Sequence, residues 1–276
     1  MAGLVSLTAL LAMGGSRAGW WHIGSDMFRL VFSTFAALGY VVAFILCRKV
    51  AADHRDAGRM QQAWQLLAAS AAFSVVRHLV MAAVSTRLNN GLDTLAEFLV
   101  AQSFDMLSLI SLTAGLFLMW RTFAALDLGF STHPIDVALF VLLVVLVPPI
   151  MLSHSYLPPS TYHSLVPATR YAVAVLLPVS TAVGIQLHRI ALRMQGGAIA
   201  RVLMTLAIFT GLRLLMMVVS SLPALRANAV TWTLDQAISQ GIPLLFTMAA
   251  AYRWGIAEDA RDAVAERQRE LAPIEE

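Results

Sequence analysis

Apolar positions dominate seven long stretches of this chain, and charged or turn-forming residues separate one stretch from the next. Each stretch has about the ~20 residues that a helix needs to cross the ~30 Å hydrocarbon core of a bilayer. The stretches cover residues 27–47, 64–85, 95–120, 135–153, 168–188, 201–222 and 229–252. The pattern therefore predicts an all-α integral membrane protein with seven transmembrane helices, and a lipid bilayer as its surroundings.

The two ends of the chain differ from the spanning region, which we place at 27–255. Residues 1–26 open on an apolar run that is too short to span and lacks the basic residues of a signal peptide, so we expect an interfacial segment. Residues 256–276 are rich in charge and are predicted to continue the last helix into the cytoplasm as a tail helix. This tail is either a solvated helix without a partner or the contact point for a partner protein.

The amino-acid composition argues against several classes of protein function. Of the 276 residues, 59% are hydrophobic and 13% are charged, whereas soluble proteins average about 25% charged. The net charge of +3 is spread along the chain without a basic block, which gives no support for nucleic-acid binding. The single cysteine, Cys47, excludes an internal disulfide, and the sequence shows no Cys/His spacing typical of a metal site. The sequence pattern does not indicate any particular cofactor.

The distribution of basic residues predicts the orientation. If the loop after the first helix is cytoplasmic, that side of the membrane holds more Lys and Arg than the other, by twelve to five. Because positive residues favour the cytoplasmic side, we expect the amino terminus outside and the carboxyl terminus in the cytoplasm. No organelle-targeting pattern is visible, so we expect a multi-pass protein of the bacterial inner membrane.

The two halves of the chain resemble each other. The stretch from Arg59 and the stretch from Arg193 both open on the tripeptide RMQ, and each carries one arginine inside the membrane, at Arg77 and Arg213. The helices that follow each carry an acid five residues before a glutamine. We therefore predict a parallel repeat of triplets 27–125 and 168–255 around a linker helix, 135–153. The alternative is that helices rich in Leu, Ala and Val align by chance.

This three-plus-one-plus-three plan resembles, in architecture alone, the SWEET-type sugar facilitators and the microbial rhodopsins. The chain lacks the repeated proline signature of the first family. The second family needs a Schiff-base lysine in its seventh helix, whereas the only lysine here, Lys49, follows the first helix. Covalently bound retinal is therefore excluded.

Ionisable side chains inside a bilayer are costly, so they usually face the bundle interior and have a partner. The candidates for a ligand-binding or ion-pair cluster are Arg77, His78, Glu97, Gln102, Asp105, Arg213, Asp235 and Gln240. We expect the pairs Arg77 with Glu97 and Arg213 with Asp235, with Asp105 as a deeper alternative partner. Because His78 and Asp105 crowd Arg77, we expect Arg77 to be the more structural arginine. The cluster is either a set of interhelical clamps or a polar cavity in the outer half of the bundle.

Two functions fit these residues. The first is a transporter or facilitator for a small solute, with an anion as one option, because arginines in surplus over buried acids attract anions. The alternative is a seven-helix receptor or sensor, or the membrane subunit of a larger complex, that acts through its cytoplasmic tail. We do not expect an enzyme. Ser74, His78 and Asp105 faintly resemble the zinc hydrolase-like membrane superfamily, but the last helix has no HxxxH motif.

Overall fold

The computed structural model describes residues 26–54, 57–87, 94–125, 134–153, 165–194, 196–221 and 229–271. They form seven helices: α1 Asp26–Asp53, α2 Arg59–Arg87, α3 Thr94–Ala124, α4 Pro134–Ser153, α5 Leu165–Arg193, α6 Ala198–Ser221 and α7 Ala229–Leu271. Over this part of the chain the predicted all-α class is confirmed. The interfacial segment expected at 1–26 falls almost entirely outside the described residues.

Five of the helices are long and apolar enough to cross a membrane. The candidate spans are Ser33–Asp53, Arg59–Ala83, Val100–Ala124, Tyr171–Arg193 and Ala198–Val219. The apolar stretch of α4 that qualifies is shorter, Val137–Pro149. In the predicted seventh span, 229–252, most side chains before residue 241 lie outside the described set. The helices are those of a multi-pass membrane protein, while the orientation and the kind of membrane stay predictions.

Six of the helices form a closed ring. Helix α1 packs against α2 and α7, α2 against α3, α3 against α5, α5 against α6, and α6 against α7. Helix α4 lies outside the ring against α5 and α6, and most of its surface is exposed, including Phe140 and Leu142. The predicted repeat would produce these helix–helix contacts. Any closed ring in which helices consecutive in the sequence pack side by side would produce them as well. The repeat therefore stays a prediction.

The interior of the ring is apolar in one half. We call this the lower half; it holds the carboxyl end of α1 and the amino end of α2. Trp64 and Leu67 of α2 and Leu116 of α3 are fully buried there. Phe209 of α6 stacks on Phe246 of α7 with ring centroids 5.0 Å apart. Side chains packed this closely leave little room for water.

Helices α1 and α7 approach each other closely at a proline. Gly39 of α1 faces Pro243 of α7, and a Cβ added at Gly39 would lie 2.8 Å from the Pro243 Cβ. The Thr247 hydroxyl lies within hydrogen-bond distance of the Gly39 carbonyl, at 3.0 Å, and of the Pro243 carbonyl, at 2.9 Å. Proline has no N–H to donate, so it interrupts the hydrogen-bond ladder of α7 and can kink the helix at this contact.

Helix α7 continues well past the ring. It runs for 43 residues to Leu271, and residues 258–267 are exposed. The predicted boundary between the last span and the charged tail therefore falls inside one helix. One continuous helix connects the ring interior to the end of the described chain.

Candidate functional site

Polar side chains from four helices lie inside the ring, in the half opposite the apolar packing. We call them the central polar cluster: Tyr40 of α1, Ser70, Ser74, Arg77 and His78 of α2, Asp105 and Ser108 of α3, and Arg213 of α6. Helical spacing explains why they meet. Ser70, Ser74 and Arg77 are four and three residues apart, and Asp105 and Ser108 are three apart, so each set shares one helix face.

Asp105 is the centre of the cluster. Its Oδ1 accepts a hydrogen bond from Arg213 Nη2 at 2.8 Å and lies 3.4 Å from Arg77 Nε. The residue is only 3% exposed, and a carboxylate removed from water to this extent needs charged partners. One carboxylate therefore joins α2, α3 and α6 across the interior of the ring.

The cluster carries more positive than negative charge among its described side chains. Two guanidinium groups, Arg77 and Arg213, face one carboxylate, Asp105. Arg213 Nη1 is buried and has no hydrogen-bond partner among the residues that the structure describes. A buried donor without a partner is unfavourable, and it is satisfied when an acceptor binds. The arrangement can therefore receive an anion or another hydrogen-bond acceptor.

An aromatic pair borders Arg77. The His78 ring stacks on Tyr40 of α1, with centroids 5.6 Å apart. Arg77 Nη1 lies 3.4 Å from His78 Nε2, and because a guanidinium can only donate, Nε2 is the acceptor. The contact orients the Arg77 guanidinium between the ring of His78 and the carboxylate of Asp105.

Three serine hydroxyls lie about one helical turn from the ion pairs, toward the lower half. Ser108 Oγ is 2.8 Å from Ser74 Oγ and 3.1 Å from Ser70 Oγ, and all three residues are buried. Each hydroxyl can both donate and accept a hydrogen bond. They separate the charged part of the interior from the apolar packing near Leu67.

The structure brings together four of the eight predicted site residues: Arg77, His78, Asp105 and Arg213. Gln102 is half-buried on α3, three residues before Asp105. The side chains of the remaining three candidates, Glu97, Asp235 and Gln240, lie outside the described residues. The pairs Arg77 with Glu97 and Arg213 with Asp235 therefore stay predictions. The acid that both arginines contact is Asp105, the predicted alternative partner.

The cluster includes residues that the sequence analysis did not single out. Tyr40 and Ser70 were not predicted, although Ser70 precedes Ser74 by one helical turn and could have been found by that spacing. The structural role expected of Arg77 stays a prediction, and the two arginines differ in their contacts with Asp105. The Arg213 side chain is 13% exposed and lies at 2.8 Å from Asp105, whereas the Arg77 side chain is 31% exposed and lies at 3.4 Å. The geometry favours Arg213 as the more strongly paired arginine.

A separate groove lies on the outside of the ring, between α3, α4 and α5. Its volume is about 230 Å³, and apolar side chains line most of it, including Phe117, Trp120 and Phe140. It shares no residue with the central polar cluster. An apolar lining at this position is what a surface in contact with lipid chains requires.

Comparisons of the chain with protein-family models, with curated proteins and with solved structures found no match.

Proposed function

We propose that this protein is a transporter or facilitator for a small solute in the bacterial inner membrane, that the solute is an anion, and that the central polar cluster binds it. Binding and passage of the solute need no covalent chemistry, so the proposal describes a carrier and not an enzyme. Arg213 and Arg77 supply the positive charge, and Asp105 holds the two guanidinium groups in place.

The observation that carries this proposal is that Arg213 Nη1 is buried and has no hydrogen-bond partner among the described residues. An arginine that served only as a clamp would use its donors on protein acceptors, because a buried unsatisfied donor costs about 1–3 kcal/mol. Here Nη2 donates to Asp105, while the part of the chain that the structure describes offers Nη1 no acceptor. The N–H groups of Nη1 can donate to an oxygen of a carboxylate or of a small inorganic anion.

The asymmetry of the ring interior supports the same proposal. The polar cluster lies in one half, and tightly packed apolar side chains such as Trp64 and Phe246 fill the other. Alternating access requires that this closed half open when the solute is to leave on that side of the membrane. Pro178 inside α5 and Pro243 inside α7 interrupt the hydrogen-bond ladders of two ring helices, and each proline can kink its helix.

The test is uptake by liposomes that contain the purified protein, with radiolabelled chloride, nitrate and acetate as probes. We expect the wild type to take up at least one of them and Arg213→Gln to lose most of that uptake. Arg201→Gln is the matched control, because Arg201 is an exposed arginine on the same helix. It should leave uptake unchanged.

A second variant separates binding from folding. Asp105→Asn should destabilise the protein, since it leaves two partly buried guanidinium groups without a carboxylate. It should nevertheless bind the transported anion at least as tightly as the wild type, because the arginines keep their charge. Equal loss of anion binding in Asp105→Asn and Arg213→Gln would contradict the proposal. So would wild-type liposomes that take up none of the three anions.

A receptor or sensor, or the subunit of a larger complex, is the second candidate, and the continuity of α7 is the observation that favours it. A ligand that shifts the ring at Pro243 would move the exposed stretch 258–267 as part of the same helix. A protein partner on that stretch would receive the signal. Anion binding without anion uptake, together with a change in the tail on binding, would favour this candidate over transport.

A further inference from the structure

A second cluster of charged side chains lies at the lower end of the ring, where α7 leaves it beside the carboxyl end of α1. Arg253 Nη2 of α7 lies 2.6 Å from His54 Nε2, and Arg261 Nη2 lies 2.9 Å from Asp53 Oδ2. The Lys49 ammonium lies 4.4 Å from the ring centroid of Trp254. These contacts hold the first part of the α7 extension against α1.

The hydrogen bonds of His54 fix its protonation state. Its Nδ1 lies 2.8 Å from the Val50 carbonyl oxygen, which can only accept, so Nδ1 carries a proton. Its Nε2 faces Arg253, which can only donate, so Nε2 carries none. The contact therefore requires a neutral imidazole. A proton on Nε2 would place two donors and two positive charges face to face.

We propose that the His54–Arg253 contact is a proton-released latch, which holds residues 253–267 of α7 against the end of α1 while His54 is neutral and releases them when Nε2 takes up a proton. The proposal does not depend on the proposed function, because none of its residues belongs to the central polar cluster.

The charged groups around His54 make it the titrating member of the latch. Within the described residues, α7 contributes Arg253 and Arg261, α1 contributes Asp53 and Lys49, and α2 begins at the exposed Arg59. The ordinary pKa values of arginine, lysine and aspartate side chains all lie outside the range between about pH 5 and pH 8. Histidine is the side chain that changes charge in this window.

The direction of the pH effect follows from the environment of His54. Burial, and in addition the Arg253 charge, lower the pKa of His54 from its ordinary value of 6.5, and the hydrogen bond to Val50 and the charge of Asp53 oppose this only in part. The closed latch therefore binds the proton more weakly than the open one. Its stabilisation is complete above about pH 6.5 and is lost progressively as the pH falls below that value.

The test is a distance between two spin labels across the latch. Ala52→Cys on α1 and Ala260→Cys on α7 place the labels at exposed positions next to Asp53 and Arg261, and Cys47→Ala removes the native thiol. The full-length protein in detergent is measured by pulsed electron paramagnetic resonance at about pH 8 and about pH 5. We expect one short distance at the higher pH and a second, longer population at the lower pH.

Variants test whether protonation of His54 causes the change of the label distance with pH. Gln has an oxygen that accepts from Arg253 and does not titrate, so His54→Gln should keep the short distance at both pH values. Arg253→Gln removes the charge that opposes protonation, so the pH response should shrink. The matched control is His188→Gln, a histidine near the carboxyl end of α5, which should keep the full response. A wild-type distance that does not change with pH, or a response that persists in His54→Gln, would overturn the latch.

Discussion

The two charged clusters of this protein both join helices through arginine, yet water reaches them to very different extents. In the central polar cluster Asp105 is 3% exposed and contacts two arginines from two other helices. At the lower end, Arg261 contacts Asp53 with 57% of its own side chain exposed. The same chemical pair is buried in one place and solvated in the other.

The difference decides what each cluster can do. Removing a charge from water costs several kcal/mol per ion, so a buried pair is held together by the cost of separating it. An exposed pair has no such constraint and contributes about 0–1 kcal/mol. The positive charge in excess among the described side chains of the central polar cluster is therefore where we propose that an anion binds. The lower-end contacts are the ones that we propose to open and close, with little change in the free energy of the fold.

The largest effect is expected at Asp105. Asp105→Asn keeps the size of the side chain but leaves the Arg77 and Arg213 guanidinium groups near each other without a carboxylate between them. We expect the free energy of unfolding in detergent micelles to fall by about 3–5 kcal/mol. Denaturant titration measures it. If Asp105→Asn lowers the free energy of unfolding no more than Asp262→Asn, a change at an exposed acid, water already solvates the cluster.

The second effect distinguishes the two arginines. Arg213→Gln should cost about 1–3 kcal/mol of stability, because Asp105 keeps Arg77 as a partner. In the double variant with Asp105→Asn, the two losses should not add, since both act on one pair of groups. Additive losses would indicate that Arg213 and Asp105 do not interact as strongly as their 2.8 Å contact implies.

Sequence reasoning located the buried charges, but it gave Asp105 only as an alternative partner of the two arginines. Arg77, Asp105 and Arg213 stand out because each is an ionisable residue inside an apolar stretch, and the cost of burial makes such positions informative. Which acid pairs with which arginine depends on the rotation of each helix and on the reach of a flexible side chain. Those quantities are set by packing among all the ring helices, and hydrophobic periodicity along one helix does not determine them.

The lower-end cluster shows the same limit in a stronger form. His54 and Arg253 are 199 residues apart in the sequence, and neither lies in a pattern that points to the other. Their contact exists because α1 and α7 close the ring and because α7 continues as a helix beyond it. The sequence predicted the seven helices and the charged tail, but the order of helices around the ring follows from contacts between the helices and not from the pattern along each one.

A smaller effect is expected at Arg77. Its side chain is more exposed than that of Arg213 and its nitrogen is farther from Asp105, so Arg77→Gln should lower the free energy of unfolding by roughly 0.5–1.5 kcal/mol. The same denaturant titration measures this, with Arg201→Gln as the unchanged reference. If Arg77→Gln proves more destabilising than Arg213→Gln, Arg77 is the more structural arginine, as the sequence alone predicted. The distances and exposures of the two arginine–Asp105 contacts would then not rank their contributions to stability.

The smallest effect is expected at Arg261. Because the Arg261–Asp53 pair is solvated, Arg261→Ala should change the free energy of unfolding by about 0–1 kcal/mol. Its contribution should also vanish as salt is raised, since about 1 M salt shortens the screening length to ~3 Å. The buried Arg213–Asp105 pair should keep its contribution under the same conditions. Measuring both variants at low and high salt therefore tests the difference between the two clusters directly, and equal salt dependence would mean that water reaches Asp105 as readily as it reaches Asp53.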